Sequence, residues 1–281
     1  MLIAVSEGVK KRAPALHGFV KRVICRTKLP AVKLLNGRLT LTAPNLLFAS
    51  PTEPHILRWI RELLQPGDTF LDVGAHWGWM SLAACHRVGA TGKVVAFEPS
   101  PPLLELLSYN KKANGFRQME IVPKAVADSD DRVLPFHLVN QGNSFLNSLV
   151  DHRMEPSASV ERRKSTVQVQ TVTLDEFCKT GNLRPNVVKI DVEGAELLVL
   201  RGCKRLLGQG RTSFIVAVHP TWLPGDQKAE ELFDLFQVHG YRAVLSRAAR
   251  YDGADFADYV FVPERNGRAA LRSPEAARTS G

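Results

Sequence analysis

The sequence predicts an α/β fold: a doubly wound, mainly parallel sheet with helices on both faces. Three observations carry the prediction. From Thr69 onward, short apolar runs of strand length alternate with helix-length segments, the pattern of a parallel sheet with helical crossovers. No short fixed repeat runs through the chain, which excludes a solenoid. With 281 residues, 44% of them hydrophobic, the chain can bury a substantial core.

The elements follow in order. Residues 34–41 place Asn36-Gly37 between β-favouring residues, a two-residue hairpin signal. Residues 51–64 form a helix, with Ile56, Leu57, Ile60, Leu63 and Leu64 on one face, stopped by Pro66-Gly67-Asp68. A strand over 69–73 leads through a glycine turn to a helix over 79–87. A strand at 93–97, a helix at 100–114 and a strand at 119–123 come next. Residues 133–138 alternate like a further strand. A strand at 187–190 leads to one continuous helix over 195–207. A strand at 213–218 and a helix at 227–239 precede closing strands at 241–246 and 259–262. Residues 140–166 interrupt this rhythm with a polar and charged stretch, too long for an idle connection, and read either as a mobile loop over the active site or as a disordered insertion.

Charge narrows the range of partners. The net charge is +9, but residues 1–28 contribute +6 and residues 264–281 contribute +2, leaving the body near neutral at +1. Basicity confined to the ends argues against a nucleic-acid groove and allows at most a weak anionic-surface contact by the N-terminal segment, where 16–24 has helical character. No apolar run reaches the ~20 residues of a membrane-spanning helix, and no secretory pattern opens the chain. The expectation is a soluble cytoplasmic protein. Cys25, Cys85, Cys178 and Cys203 stand far apart with no C-x-x-C pair, and read as reduced thiols.

The chemistry concentrates at strand ends. Phe70-Leu71-Asp72-Val73-Gly74-Ala75-His76-Trp77-Gly78 is a strand running into a D-x-G-x-x-x-G turn. Glycine suits such a turn because the backbone takes unusual dihedrals and lets a ligand approach closely. The spacing is neither that of dinucleotide enzymes nor that of phosphate-binding loops, and no Lys follows Gly78 to hold a phosphate. Glu98, in Phe97-Glu98-Pro99, ends the next strand, where an ionised carboxylate can accept both hydroxyls of a ribose. Asp128 follows the third strand and reads either as an acceptor for an adenine amino group or as a turn aspartate. The run Lys189-Ile190-Asp191-Val192-Glu193-Gly194-Ala195-Glu196 delivers three carboxylates into a turn before a helix. Glu196 there also suits the helix dipole.

These motifs, with Thr173-Leu174-Asp175-Glu176-Phe177, resemble the FkbM family of methyltransferases over about residues 53–219, and the I-D-V-E-G-A-E run is the most specific of them. The resemblance implies a seven-stranded Rossmann-like sheet, S-adenosylmethionine as methyl donor, and O-methylation of a hydroxyl on a sugar or secondary metabolite. It implies that Asp72, Gly74, Ala75, His76, Trp77 and Gly78 surround the donor, with Glu98 on its ribose and Asp128 near its adenine. The chain then divides into a basic segment (1–28), a hairpin-and-helix extension (29–66), the methyltransferase domain (67–263) and a tail (264–281). Two positions depart from the family pattern: His76 stands where Asn is frequent, and Ala217, in Val216-Ala217-Val218-His219, stands where Glu is usual.

A neutral alcohol is a poor nucleophile, so a base is expected beside the acceptor. Asp191 and His219, each at a strand end, are the two candidates, His219 for its ordinary pKa of ~6.5. Asp191 and Glu193 are ligands of the type hard cations take, but no full ligand set is visible and no metal is assigned. Two alternatives stay open: an RNA or protein methyltransferase of the same fold, and a binding module that has lost its chemistry.

Overall fold

The computed structural model describes residues 32–34, 39–41, 53–139, 146–151, 164–251 and 254–264. The basic segment 1–28, most of the tail and residues 140–145 and 152–163 of the long insertion therefore lie outside the described residues, as does Cys25. Strand β1 (Val32–Leu34) pairs antiparallel with β2 (Leu39–Leu41), Leu34 facing Leu39. The turn expected at Asn36-Gly37 falls between them, outside the described residues. Helix α1 (Pro54–Leu63) starts with a proline, whose missing N–H costs nothing at that position, and buries Ile56, Trp59 and Ile60. Trp59 Nε1 donates to Ser246 Oγ at 2.7 Å, fastening this helix to the far side of the sheet.

The alternation then proceeds as expected through β3 (Thr69–Val73), α2 (Trp79–Val88), β4 (Lys93–Phe97), α3 (Pro101–Ala113) and β5 (Met119–Val122). A second, three-stranded sheet follows, made of β6 (Ala125–Val126), β7 (Val133–Val139) and β8 (Lys164–Val172) in the order β6-β8-β7. Helix α4 (Leu174–Thr180), β9 (Val187–Ile190), α5 (Glu196–Arg201), α6 (Lys204–Gly208), β10 (Ser213–Val218), α7 (Ala229–Val238), β11 (Tyr241–Tyr251) and β12 (Ala254–Pro263) complete the chain.

Seven strands form the main sheet in the order β11-β12-β10-β9-β3-β4-β5. Strands β10, β9, β3, β4 and β5 run parallel, and β12 is antiparallel to both neighbours. Alternate residues of each strand feed opposite cores. Phe70 and Val94 pack with Trp59, Leu82 and Leu107 on one face; Leu71 and Val95 pack with Leu197, Phe214 and Phe236 on the other. A sheet covered on both faces needs apolar residues at nearly every position, which is why its strands read as continuous apolar runs.

Residues 133–139 form the further strand expected there, as part of the second sheet. They pair with β8, a strand hidden in the sequence because its first residues are polar and exposed. The single helix expected over 195–207 is two, broken at Gly202-Cys203. A side chain at Gly202 would strike the Ala127 carbonyl, and Asp175 caps the second helix by accepting from Arg205 N at 2.7 Å and Leu206 N at 3.0 Å.

Candidate active site

The chain runs outward from β3 to β4 and β5, then returns to place β9 and β10 on β3's other flank. The crevice between the tips of β3 and β9 is therefore the topological switch point, where open parallel sheets bind ligands. A cleft opens there. Gly74, His76, Glu98, Asp191 and Glu193 line one part of it, and Leu103, Val126, Phe136 and Leu149 give it apolar walls.

The turn after β3 is held from both sides. Gly74 N and Ala75 N donate to Phe97 O at 3.1 and 3.0 Å, and His76 N donates to Glu98 Oε2 at 2.8 Å. Glu98 Oε1 accepts from Ser100 N at 2.9 Å, so this one carboxylate organises two loops while lining the cleft. Burial pushes its carboxyl up to about 7 against those two hydrogen bonds. Gly74 has φ 80°, and a Cβ there would lie 1.9 Å from the Asp191 carbonyl oxygen. Glycine is required because the β3 turn lies directly on the β9 tip. His76 (φ 55°) and Glu193 (φ 53°) also hold left-handed backbone, which is costly for residues with a Cβ and tends to collect at functional sites.

Beneath and beside the cleft lies a charged cluster. Lys189, buried mid-strand in β9, donates to Asp191 Oδ2 at 3.0 Å and stands 3.8 Å from Asp72 Oδ1. Against the lowering effect of burial, Asp191 and Asp72 hold its ammonium above the ordinary range. Burial favours a neutral Asp191, yet Lys189 and His219 together keep that carboxyl below its usual range. Asp72 is fully buried and accepts from Ser81 Oγ at 2.5 Å; burial raises its pKa.

His219, at the β10 tip, is ringed by carboxylates. Its Nδ1 lies 2.8 Å from Glu196 Oε1 and its Nε2 lies 3.3 Å from Glu193 Oε2. The ring stacks on Trp222 with centroids 5.0 Å apart. Burial alone would lower the imidazole pKa, but Glu196 and then Glu193 and Asp191 drive it up to about 10. Burial pushes Glu193 up to about 8, with His219 opposing. Ser148 Oγ donates to the carbonyls of Val192 (3.0 Å) and Glu193 (2.8 Å), so residues 146–151 of the insertion brace this turn and contribute Asn147 and Leu149 to the cleft.

Of the residues singled out in the sequence, Gly74, His76, Glu98 and Asp191 meet around the cleft, with Asp72 buried below and His219 behind Glu193. The remaining four do not line it. Ala75 and Trp77 belong to the core, Trp77 offering its carbonyl to Asn110 Nδ2 at 2.8 Å. Gly78 serves packing, because a Cβ there would lie 2.4 Å from Leu107 Cδ1. Asp128 is exposed and accepts only from Ser129 Oγ among the hydrogen bonds described, at 3.0 Å. Thr173-Leu174-Asp175-Glu176-Phe177 is structural: Thr173 caps α4 and Asp175 caps α6.

Three residues escaped the sequence reading. Lys189 was hidden in an apolar strand. Glu53, half-buried before α1 with φ 89°, has its carboxyl raised by burial, and next by Asp191, to about 7. Asp258 on β12 stands in register opposite Ala217, nearly buried and 2.7 Å from His55 Nε2. A carboxylate thus stands across the sheet from Ala217.

Sheet order, the reversed strand β12 and the crevice position define the class: a Rossmann-like class I methyltransferase fold. Residues 72–243, more than half of the chain, match the family model described as the methyltransferase FkbM domain. The chain belongs to the FkbM methyltransferase family. It is 29% identical over 181 residues to the hexuronic acid methyltransferase AglP of Haloferax volcanii, covering 62% of this chain and 65% of that protein. It is 31% identical over 149 residues to methyltransferase 1 of Beauveria bassiana, covering 49% and 59%. The chain thus spans less than two thirds of the length of either relative. Among solved structures, an FkbM methyltransferase from Methylobacillus flagellatus aligns with a TM-score of 0.42 and 13% identity over 91% of this chain and 60% of that one. No helix among the described residues is long and apolar enough to cross a membrane.

Proposed function

We propose that the protein transfers a methyl group from S-adenosylmethionine to a hydroxyl of a sugar or a related hydroxylated metabolite. The observation that carries this reading is the chemistry of the cleft wall. Asp191 and Glu193 are among the residues lining the cleft; carboxyl groups hydrogen-bond to hydroxyls, and an ionised Asp191 repels the phosphates of a nucleic acid. The same wall disfavours the RNA alternative. The hexuronic acid named for the Haloferax relative is consistent with a sugar acceptor.

The residues present suit the donor. Glu98 offers carboxylate oxygens to a vicinal diol, Leu103, Val126 and Phe136 offer apolar walls to a purine, and the carboxylates complement a cationic sulfur. When bound, the donor supplies an activated methyl group. The chain then has to hold the acceptor oxygen at ~3–3.5 Å in line with that methyl and remove its proton. His219, with a carboxylate at each ring nitrogen, braces the wall rather than standing free as a base. Asp191 and Glu193 polarise the hydroxyl; as its oxygen takes the methyl, the methyl–sulfur bond would break, the thioether would leave, and the hydroxyl proton would pass to the Glu193 carboxylate.

The test is a donor-consumption assay of the purified chain against a panel of sugars, hydroxylated metabolites and RNA, with mass spectrometry of the products. The expected result is one added methyl on a hydroxylated small molecule, with turnover lost in Asp191→Asn while donor affinity is kept. Methylation of RNA alone, or full turnover in that variant, would overturn the reading.

A further inference from the structure

We infer that Asp191, Glu193 and His219 form a binding site for a divalent first-row transition ion, at the acceptor end of the cleft; this rests on the methyl-transfer reading above. One ligand atom from each of the three lies within 4.8 Å of the others. The residues come from two strand tips, β9 and β10, which the parallel sheet brings side by side. Sequence spacing alone showed two carboxylates; the fold supplies the imidazole that completes a three-ligand set.

Two further observations point to a cation. First, His219 is oriented as metal-bound histidines are. Its Nδ1 is held by Glu196, a wholly buried carboxylate 2.8 Å away, and its Nε2 points toward Glu193. A carboxylate on one ring nitrogen fixes the ring and raises the basicity of the other, the usual outer-shell arrangement of a histidine ligand. Second, Glu193 Oε2 is buried and has no hydrogen bond among the described residues, although it lies 3.3 Å from His219 Nε2. Two ligands at ~2.0–2.2 Å from one ion stand ~2.8–3.6 Å apart in octahedral or tetrahedral geometry, and the separation of these two atoms falls inside that range. Charge favours it too: Asp72 and Asp191 flank the buried ammonium of Lys189, and Glu193 and Glu196 flank the imidazole of His219, so carboxyl groups outnumber basic side chains in this cluster.

The donor set selects the ion. Two carboxylates and one imidazole suit Mn²⁺, Fe²⁺, Co²⁺ or Zn²⁺ better than Ca²⁺, which prefers oxygen alone. Three protein ligands leave coordination positions open, where a hydroxyl oxygen of the acceptor can bind and lose its proton more readily. Glu196 is then a positioning residue that acts through His219.

Titration of the purified full chain with MnCl₂, after stripping with chelator and desalting, tests this by calorimetry and by loss of the free Mn²⁺ electron-spin signal. One saturable site is expected, abolished in His219→Ala and Glu193→Gln and weakened about 10- to 100-fold in Glu196→Gln. Circular dichroism checks that each variant is folded. Absence of saturable binding at millimolar Mn²⁺ in the folded chain, or an unchanged site in folded His219→Ala, would overturn the inference and leave His219 as a proton held between two glutamates. S-adenosylhomocysteine binding is measured on the same stripped sample. Its presence without a Mn²⁺ site sinks this inference alone, and its absence sinks the methyl-transfer reading.

Discussion

Gly74→Ala should be far more damaging than other glycine substitutions with the same backbone sign, and the structure gives the amounts. Gly74, Gly78 and Gly115 have φ of 80°, 92° and 66°, so alanine at each meets a left-handed backbone, at roughly 1–2 kcal/mol. At Gly115 nothing lies within 4 Å of the new Cβ, and that cost stands alone. At Gly78 the Cβ meets Leu107 Cδ1 at 2.4 Å, the end of a flexible side chain, and a displaced rotamer adds about 1 kcal/mol. At Gly74 the obstacle is the Asp191 carbonyl oxygen at 1.9 Å. Relief requires the tips of β3 and β9 to separate, straining the Asp191 N to Val73 O bond (3.1 Å) and the paired bonds to Phe97 O, at about 1 kcal/mol each. The expected losses are about 1, 2 and 4 kcal/mol for Gly115→Ala, Gly78→Ala and Gly74→Ala, read by urea denaturation. Calorimetry should show S-adenosylhomocysteine affinity falling at least tenfold for Gly74→Ala and unchanged for Gly115→Ala. Equal destabilisation of the Gly74 and Gly115 variants would refute the claim that the two strand tips are in contact.

Two other outcomes follow from the charged cluster and from Glu98. Lys189→Met leaves Asp72 and Asp191 without their buried ammonium and should cost about 3–5 kcal/mol in denaturant unfolding; a loss under 1 kcal/mol would contradict the pairing. Burial raises Glu98 from 4.5 to about 7, so between those pH values the folded chain keeps a proton that the unfolded chain has released, and this group's contribution to stability falls as pH rises. The Glu98→Gln variant should show a shallower decline across that window, by at most about 3 kcal/mol; parallel stability curves for variant and parent would contradict the assignment.

Much of the site could be read from the sequence because it rests on local order. A parallel strand must end at its tip, and a tip followed by Gly74 or by Asp191-Val192-Glu193-Gly194 shows its turn within a few residues. Glu98 and Asp191 follow such tips and line the cleft. What escaped was set by contacts between distant segments. Gly78 looked like a ligand-approach glycine, but its neighbour is Leu107, on the next helix. Asp128 follows a two-residue strand of the second sheet, not a tip of the main one, and turns outward to solvent. Asp258 faces Ala217 only because β12 inserts antiparallel between β10 and β11, a register that no local pattern encodes. His219 read as a free imidazole until β9 and β10 set Glu193 and Glu196 on either side of it.

The donor's place at the β3–β4–β9 tips is tested most directly by calorimetric titration of S-adenosylhomocysteine into the folded parent and into Glu98→Ala. The account predicts one site in the parent, and an affinity at least tenfold weaker in a variant that circular dichroism shows to be folded. Binding of equal strength in both proteins, or no binding by the parent at millimolar ligand, would contradict it.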